Sequence, residues 1–138
     1  MPKSPVRIAI DTNLWVGYVL SHFKSQLSVI LEDENVEIIT STELTHEIFE
    51  VLSRQKFREK ISHGTISVFR ELYEQSVLSI DTVSIVHVCR DPKDDFLLAL
   101  ALDGALDFLL TLDDDLLVLN PYGQTQILKI TEYLVRSY

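Results

Sequence analysis

The amino-acid sequence predicts an α/β fold with a central parallel sheet. Residues 6–10 form a short apolar run, Val-Arg-Ile-Ala-Ile, whose β-branched content is typical of a central strand buried on both faces. Segments with helical and with strand periodicity then alternate along the chain, and acidic residues follow several of the predicted strands. In parallel sheets the carboxyl ends of the strands meet at one edge, where functional side chains collect.

Length and composition indicate one compact domain. The 138 residues, with a mass of 15.8 kDa, are 46% hydrophobic and 24% charged, which is an ordinary globular balance. We therefore expect a single domain over residues 1–138, with residues 1–5 as a flexible N-terminal tail. No apolar run approaches the roughly 18 residues of a membrane-spanning helix. The first residues also lack the apolar core of a signal peptide, so we expect a cytoplasmic protein.

The charged residues and the single cysteine narrow the functional classes. With twelve Lys and Arg against twenty-one Asp and Glu, the net charge is -9, which excludes a surface that binds polyanions over its whole extent. Arg54, Lys56, Arg58 and Lys60 nevertheless lie close together, either as a solvated helix end or as a nucleic-acid contact. Cys89 is the only cysteine, which excludes an internal disulfide and favours a packing role over a catalytic thiol.

The first half of the chain predicts helices around a second strand. Residues 13–23 have apolar side chains at helical spacing, and residues 27–31 continue as another helical piece. In residues 36–40, apolar and polar side chains alternate and the segment becomes apolar towards its end, which predicts a strand. Ser41 or Thr42 can cap the long helix that follows.

That long helix places one acidic residue beside the core. Leu44 and Ile48 belong to its apolar stripe, and Glu47 lies about 85° from the centre of that stripe at 100° per residue. A carboxylate at the edge of the core needs a partner. His46 lies nearly opposite the stripe, so we expect it at the surface.

The middle of the chain predicts a break, a helix and a strand. His63-Gly64 suggests the break, and apolar spacing over residues 66–76 predicts the helix. Residues 77–88 have extended character, with the best strand at residues 83–88.

The last third returns to the alternation of helix and strand. Pro92 disfavours helix at the preceding residue, so a nearly all-apolar helix should begin at Asp94 or Asp95 and end at Gly104. Residues 107–111 predict a buried strand. The remaining predicted elements are a short strand at residues 126–130 and a helix at residues 132–138 capped by Thr131.

Four acidic residues share a position just beyond a predicted strand or in the helix after it: Asp11, Glu47, Asp95 and Asp113. In a parallel sheet these positions belong to the same edge. Two carboxylates about 4 Å apart repel by roughly 4 kcal/mol at an effective dielectric of 20, so such a cluster requires cations. Oxygen ligands favour Mg²⁺ or Mn²⁺ over zinc. Each acid alone has a structural explanation, as a helix cap, turn residue or helix former, but the four in this order favour a metal site.

The segments that contain these acids resemble the ordered motifs of PIN-domain ribonucleases. They are Ile-Ala-Ile-Asp-Thr-Asn, Ser-Thr-Glu-Leu-Thr-His-Glu, Arg-Asp-Pro-Lys-Asp-Asp-Phe-Leu-Leu-Ala-Leu-Ala and Asp-Phe-Leu-Leu-Thr-Leu-Asp-Asp-Asp-Leu-Leu. The similarity covers nearly the whole chain and is nearest to bacterial toxin components of toxin-antitoxin pairs. It implies a three-layer sandwich with a five-stranded parallel sheet flanked by helices. It also implies Mg²⁺- or Mn²⁺-dependent endonucleolytic cleavage of RNA, a homodimer and a cognate antitoxin.

The resemblance also implies roles for individual residues. Asp11, Glu47, Asp95 and Asp113 would be the metal-binding and catalytic acids, with Asp115 as an auxiliary acid and Thr12, Asn13 and Thr111 as supporting residues. In the mechanism we expect, Asp11, Asp95 and Asp113 hold the cation, and Glu47 orients or deprotonates the attacking water. RNA would contact Arg54, Lys56, Arg58, Lys60, Arg90 and Lys93. Many relatives have glycine where this chain has Leu112, whose side chain would narrow the loop that aims Asp113.

Two other functions remain open at this point. The first is a catalytically silent PIN-like module for RNA binding or assembly, which applies if Leu112 prevents metal binding. The second is a phosphatase that forms an aspartyl-phosphate on Asp11. That chemistry usually requires a second acid two residues later, where this chain has Asn13. A phospho-receiver domain is less consistent still, because Lys129 lies inside the last predicted strand.

Overall fold

A five-stranded parallel sheet forms the centre of the molecule, as predicted. The computed structural model describes residues 4–138, so the first three residues of the predicted N-terminal tail lie outside it. In chain order the strands are β1 (Val6–Ile10), β2 (Val36–Thr40), β3 (Val77–Ser79), β4 (Phe108–Leu110) and β5 (Gln126–Leu128). Neighbouring strands pair in parallel in the order β3-β2-β1-β4-β5.

Helices connect the strands and cover the sheet. They are α1 (Thr12–Leu20), α2 (Leu27–Leu31), α3 (Thr42–Leu52), α4 (Gln55–Arg58), α5 (His63–Ser76), α6 (Asp95–Asp103), α7 (Asp114–Leu117) and α8 (Ile130–Ser137). A single 3₁₀ turn, Pro92–Asp94, precedes α6. None of the helices within the described residues combines the length and apolar character needed to cross a membrane.

Strand β1 lies in the middle of the sheet, which explains its composition. Ile8, Ala9 and Ile10 have no exposed surface, because β2 and β4 flank the strand and helices cover it. An aromatic cluster fills the space beneath α1, where Trp15 packs edge-on against Tyr73 with ring centroids 5.0 Å apart. The central strand is therefore held on all sides, and its carboxyl end is a rigid point in the fold.

One predicted strand is wrong. The best strand was expected at residues 83–88, but β3 forms earlier, directly after α5, where Val77 pairs with Ile38 of β2. The alternating segment instead runs along the surface, with Val83 and Ile85 each 84% exposed. The carboxylate of Asp103 accepts the N–H groups of Val83 at 2.6 Å and Ser84 at 2.9 Å. Strand propensity is realised only where a neighbouring strand is available.

Two helix starts also differ from expectation. Helix α5 begins at His63 because the Ser62 hydroxyl caps it by accepting the N–H of Thr65 at 3.1 Å, so His63-Gly64 forms a first turn and not a break. Helix α8 begins at Ile130 with Lys129 as the cap residue, two positions before the predicted start.

Helix α6 begins and ends where the sequence predicts, and Gly104 follows its last residue. A Cβ atom on Gly104 would lie 2.8 Å from the carbonyl oxygen of Leu100 and 3.2 Å from Ile80. The close approach of the chain, and not a left-handed backbone, therefore requires glycine here.

Candidate active site

Asp11 leaves the central strand and serves as both a helix cap and a member of the acidic site. One carboxylate oxygen accepts the N–H of Thr12 at 2.7 Å and caps α1, and the other accepts the Thr111 hydroxyl at 2.7 Å. Burial raises the pKa of Asp11, with a smaller contribution from Asp113, while the two hydrogen bonds act in the opposite direction. The capping and functional interpretations of Asp11 are thus compatible.

Glu47 faces Asp11 from α3, at the edge of the apolar stripe as the helical wheel predicts. Burial raises the pKa of Glu47; the Thr12 hydroxyl acts in the opposite direction, and the nearby Asp11 carboxylate adds to the rise. The Oε2 atom of Glu47 and the Thr12 hydroxyl are buried and lack hydrogen-bond partners among the described residues. Buried polar atoms without partners are uncommon in folded proteins, so these two mark a place where a ligand fits.

Thr111 joins the exits of β1 and β4. It is fully buried, and its hydroxyl donates to Asp11 while accepting the N–H of Asp113 at 3.0 Å. Asp113 in turn caps α7 by accepting the N–H of Asp115 at 2.9 Å. This chain of hydrogen bonds positions Asp113 relative to Asp11.

The structure brings Asp94, and not Asp95, to this group of acids. Carboxylate oxygens of Asp94, Asp113 and Asp115 all lie within 4.8 Å of one another. The Asp95 carboxylate instead accepts the N–H groups of Val88 at 3.1 Å and Cys89 at 2.8 Å. These backbone bonds lower the pKa of Asp95. The expected placement of Asp95 in the cluster is therefore corrected to Asp94.

The physical reason is the direction of successive side chains. At the junction of the 3₁₀ turn and α6, neighbouring side chains diverge by about 100°, so only one of the two aspartates can face the acids. The backbone N–H groups of Val88 and Cys89, in the preceding extended segment, donate hydrogen bonds to the other carboxylate, that of Asp95. The sequence carries no signal for this choice, because residues 96–102 are apolar almost all round and give the helix no distinct polar face.

The electrostatics of the cluster follow from its geometry. Partial burial and the adjacent Asp113 carboxylate raise the pKa of Asp94 to about 7, with a further contribution from Asp11. Arg90 binds Asp115, with its Nε atom 2.9 Å from Oδ1 and an Nη2 contact to the same oxygen. The sequence predicted Arg90 as an RNA contact, but not this ion pair.

The donor set fits a hard divalent cation. The candidate ligands are all carboxylate oxygens, which suit Mg²⁺ or Mn²⁺. The unpartnered oxygen of Glu47 and the mutual repulsion of Asp94 and Asp113 are the features that a cation would relieve.

The remaining predicted site residues surround the cluster without entering it. Asn13 is exposed and lines a cavity of about 200 Å³ together with Leu112 and Gln26. The Leu112 residue is 56% exposed, and its φ angle lies outside the left-handed region that favours glycine. The expected narrowing of the Asp113 loop by Leu112 is therefore not observed.

The predicted RNA-contacting cations lie in two places. Arg54 pairs with Glu50, with Nη2 and Oε2 2.9 Å apart, whereas Lys56, Arg58 and Lys60 are exposed on and after α4. Lys93 is exposed in the turn before α6, near the paired Arg90. Helix α3 connects the sheet edge to the first group.

The environment of Cys89 agrees with the predicted packing role. It is buried, and burial together with the Asp95 carboxylate raises the pKa of its thiol to about 12. A thiol with this pKa is protonated at neutral pH, which makes it a poor nucleophile.

The chain is an α/β domain whose parallel sheet carries a group of acids at its carboxyl edge. A family model described as PIN domain matches residues 7–115, and the chain belongs to this family. PIN domains are generally nucleases and typically act with divalent metals.

Comparison with solved structures supports the same fold. The crystal structure of PAE2754 from Pyrobaculum aerophilum is similar, with a TM-score of 0.61 and 16% sequence identity over 95% of this chain and 88% of that chain. At this identity the likeness shows the fold alone. No curated protein matches the sequence.

Proposed function

We propose that the protein is a metal-dependent endoribonuclease that hydrolyses RNA phosphodiester bonds in the cytoplasm, as the toxin component of a toxin-antitoxin pair. One observation carries the nuclease proposal. Asp94 and Asp113 lie in one group of carboxylates with Asp115. Thr111 joins Asp11 to Asp113 through its hydroxyl, and Glu47 lies near enough to Asp11 for the two carboxylates to interact. Family membership supports this reaction class.

In this proposal Asp11, Asp94 and Asp113 hold Mg²⁺ or Mn²⁺, with Asp115 as an auxiliary acid. When bound, the cation would lower the pKa of a coordinated water and offset negative charge on the phosphoryl oxygen. Thr111 fixes the Asp11 carboxylate by donating a hydrogen bond to it.

Glu47 is the proposed general base. Its burial raises the pKa of the carboxyl group, and a base with a raised pKa accepts a proton from water more readily near neutral pH. Its Oε2 atom has no protein partner within residues 4–138 and is therefore free to accept that proton. The nearby Thr12 hydroxyl, which lies close enough to Glu47 to lower its pKa, can orient the water.

The proposed RNA path runs from the acids along α3 to the cationic segment. Lys56, Arg58 and Lys60 are exposed and would contact phosphates, whereas Arg54 is engaged by Glu50. Lys93 and Arg90 lie beside the acids and would contact the RNA backbone there. Because the net charge is -9, binding would depend on these cation–phosphate contacts and should weaken with added salt in proportion to their number. A homodimer and a cognate antitoxin belong to the toxin proposal, which rests on the sequence resemblance.

Cleavage of a labelled single-stranded RNA panel in Mg²⁺, Mn²⁺ or EDTA tests the proposal. We expect cutting that requires metal and disappears in Asp11→Asn and Asp113→Asn. Asp114→Asn is the matched control, since Asp114 is an exposed acid in the same turn as Asp113. Cleavage that survives EDTA, or loss of activity in all three variants alike, contradicts the proposed site.

The alternatives have weaker support. The silent-module alternative depended on Leu112, whose residue is largely exposed; a folded protein that neither cuts RNA nor binds Mn²⁺ would restore it. The aspartyl-phosphate alternative usually requires a second acid two residues after the nucleophile, and this chain has Asn13 there.

A further inference from the structure

Arg90 neutralises the acidic cluster from outside. Its side chain is 78% exposed, whereas that of its partner Asp115 is 27% exposed. Two donors of the guanidinium contact the same oxygen, Oδ1 of Asp115. The part of the chain that the structure describes offers the cluster of Asp94, Asp113 and Asp115 this one ion pair.

The contacted oxygen belongs to a carboxylate that a divalent cation would also need. Carboxylate oxygens of Asp94, Asp113 and Asp115 lie within 4.8 Å of one another, and a hard cation gathers such oxygens around itself. A guanidinium and a metal ion at the same carboxylate carry like charges and repel each other. Binding of the ion at Asp115 therefore favours release of Arg90.

A released Arg90 remains beside the site. It lies two residues before Pro92, in the connection that leads to Asp94. Its planar fork of donors suits a phosphate as well as a carboxylate. The exposed ion pair to Asp115 is of the kind that contributes little to stability, so exchange of partners costs little.

We propose that Arg90 is a positioning residue that exchanges Asp115 for an RNA phosphate when the divalent cation binds. In the metal-free protein it neutralises Asp115. In the metal-bound protein it contacts the RNA backbone next to the cleaved bond. The inference rests on the proposed nuclease function and adds to it a coupling between metal binding and RNA binding.

Calorimetric titration of the metal-free protein with Mn²⁺ tests the first half of the exchange. Arg90→Gln should bind Mn²⁺ about two- to fivefold more tightly than the unaltered protein, the range expected from loss of an exposed ion pair. In an Asp115→Asn background the same substitution should have almost no effect. Lys93→Gln is the matched control, because it removes one positive charge from the same turn without removing the contact to Asp115.

RNA binding measured by fluorescence anisotropy tests the second half, with Ca²⁺ replacing Mg²⁺ to slow hydrolysis. Arg90→Gln should weaken RNA binding several-fold with Ca²⁺ and less in EDTA, because without the cation Asp115 still competes with the RNA phosphate for the guanidinium. Arg90→Lys should recover part of the affinity, since it keeps the charge but loses the fork. Equal weakening with Ca²⁺ and in EDTA would overturn the exchange.

The outcomes separate this inference from the nuclease proposal. If the unaltered protein binds Mn²⁺ and Asp113→Asn abolishes binding, the proposed site stands. If Arg90→Gln then matches Lys93→Gln, or tightens binding equally in the Asp115→Asn background, only the exchange is wrong. If the unaltered protein binds no Mn²⁺, both proposals fail.

Discussion

The acidic site has two halves that are built differently. The buried half is Asp11, which follows β1 and caps α1, and Glu47, which lies on α3. These elements pack into the core, and the neighbouring groups are the hydroxyls of Thr12 and Thr111. The loop half, Asp94, Asp113 and Asp115, lies on a 3₁₀ turn and on the short turn into α7. Arg90 neutralises only this second half.

The difference shows how one site can combine a fixed geometry with access for a metal ion. Residues on packed elements have little freedom, so the buried half can aim a base at a fixed point, at the cost of burying charge. Residues on exposed turns can exchange a protein cation for a metal ion. Thr111 connects the halves through its single hydroxyl.

The largest expected effect concerns the buried half. Glu47→Gln should reduce metal-dependent RNA cleavage by about 10²–10⁴-fold, the usual loss on removing a general base. Mn²⁺ affinity should fall far less, and the metal-free protein should unfold at the same or a higher temperature because a buried charge is gone. Single-turnover rates, Mn²⁺ titration and thermal melts measure these three quantities. A loss of Mn²⁺ affinity as large as the loss in rate would make Glu47 a ligand and not a base.

The next effect distinguishes neighbouring residues of the loop half. Asp94→Asn should reduce cleavage by at least about 100-fold. Replacing even a residue that only hydrogen-bonds to a metal ligand lowers metal affinity or activity about 10–100-fold. Asp95→Asn should stay within about threefold, since an amide oxygen can still accept the N–H groups of Val88 and Cys89. The same RNA assay at saturating Mn²⁺ compares them. The reverse ranking would restore Asp95 to the site.

Breaking the link between the halves should have an intermediate effect. Thr111→Val removes the hydroxyl that donates to Asp11 and accepts from Asp113. We expect a loss of about 1–3 kcal/mol in the free energy of unfolding, as for other buried hydrogen bonds, and about a tenfold slower reaction. Urea unfolding and the cleavage assay measure both quantities. Thr111→Ser keeps the hydroxyl but loses the methyl group, and is the control. A valine variant as stable and as active as the unaltered protein would contradict the role of the hydroxyl.

The smallest effect is a pH dependence of stability without metal. The pKa of Asp94 is raised from 3.8 to about 7, and those of Asp11 and Glu47 are raised too. A raised folded-state pKa means stability that is complete below the unfolded pKa and lost as the pH rises through the folded one. The melting temperature in EDTA should therefore fall by a few degrees between pH 5 and pH 8.

Asp94→Asn should reduce this pH dependence of the melting temperature, and saturating Mn²⁺ should remove the fall between pH 5 and pH 8. Groups with lowered pKa values, such as Asp33 and Asp103, act in the opposite sense but only near pH 4. A melting temperature that rises from pH 5 to pH 8 in EDTA would show that the loop half is not strained by its own charge.

The sequence predicted the buried half better than the loop half. Asp11 follows an apolar strand directly, and the helical wheel placed Glu47 beside the core; both follow from local periodicity. The sequence predicted Asp95 in the site, whereas the structure brings Asp94 to the other acids, because Asp94 ends the 3₁₀ turn and Asp95 begins α6. This choice depends on the N–H groups of Val88 and Cys89, which the sheet leaves unpaired.

The misplaced third strand has the same cause. Residues 83–88 have stronger strand character than Val77–Ser79, yet the shorter segment pairs with β2 because it leaves α5 at the free edge of that strand. The ion pair between Arg90 and Asp115 also joins residues distant in the chain, and no local pattern indicates it.

By itself the sequence determined the class of fold, the central strand and the acids at the ends of regular elements, because these depend on periodicity within a few residues. The tertiary structure decided which aspartate of a pair enters the site, which extended segment joins the sheet and which cation meets the acids. In each of these three choices, the competing residues or segments have nearly equal local conformational preferences. Partners from distant parts of the chain supply the free energy that separates them.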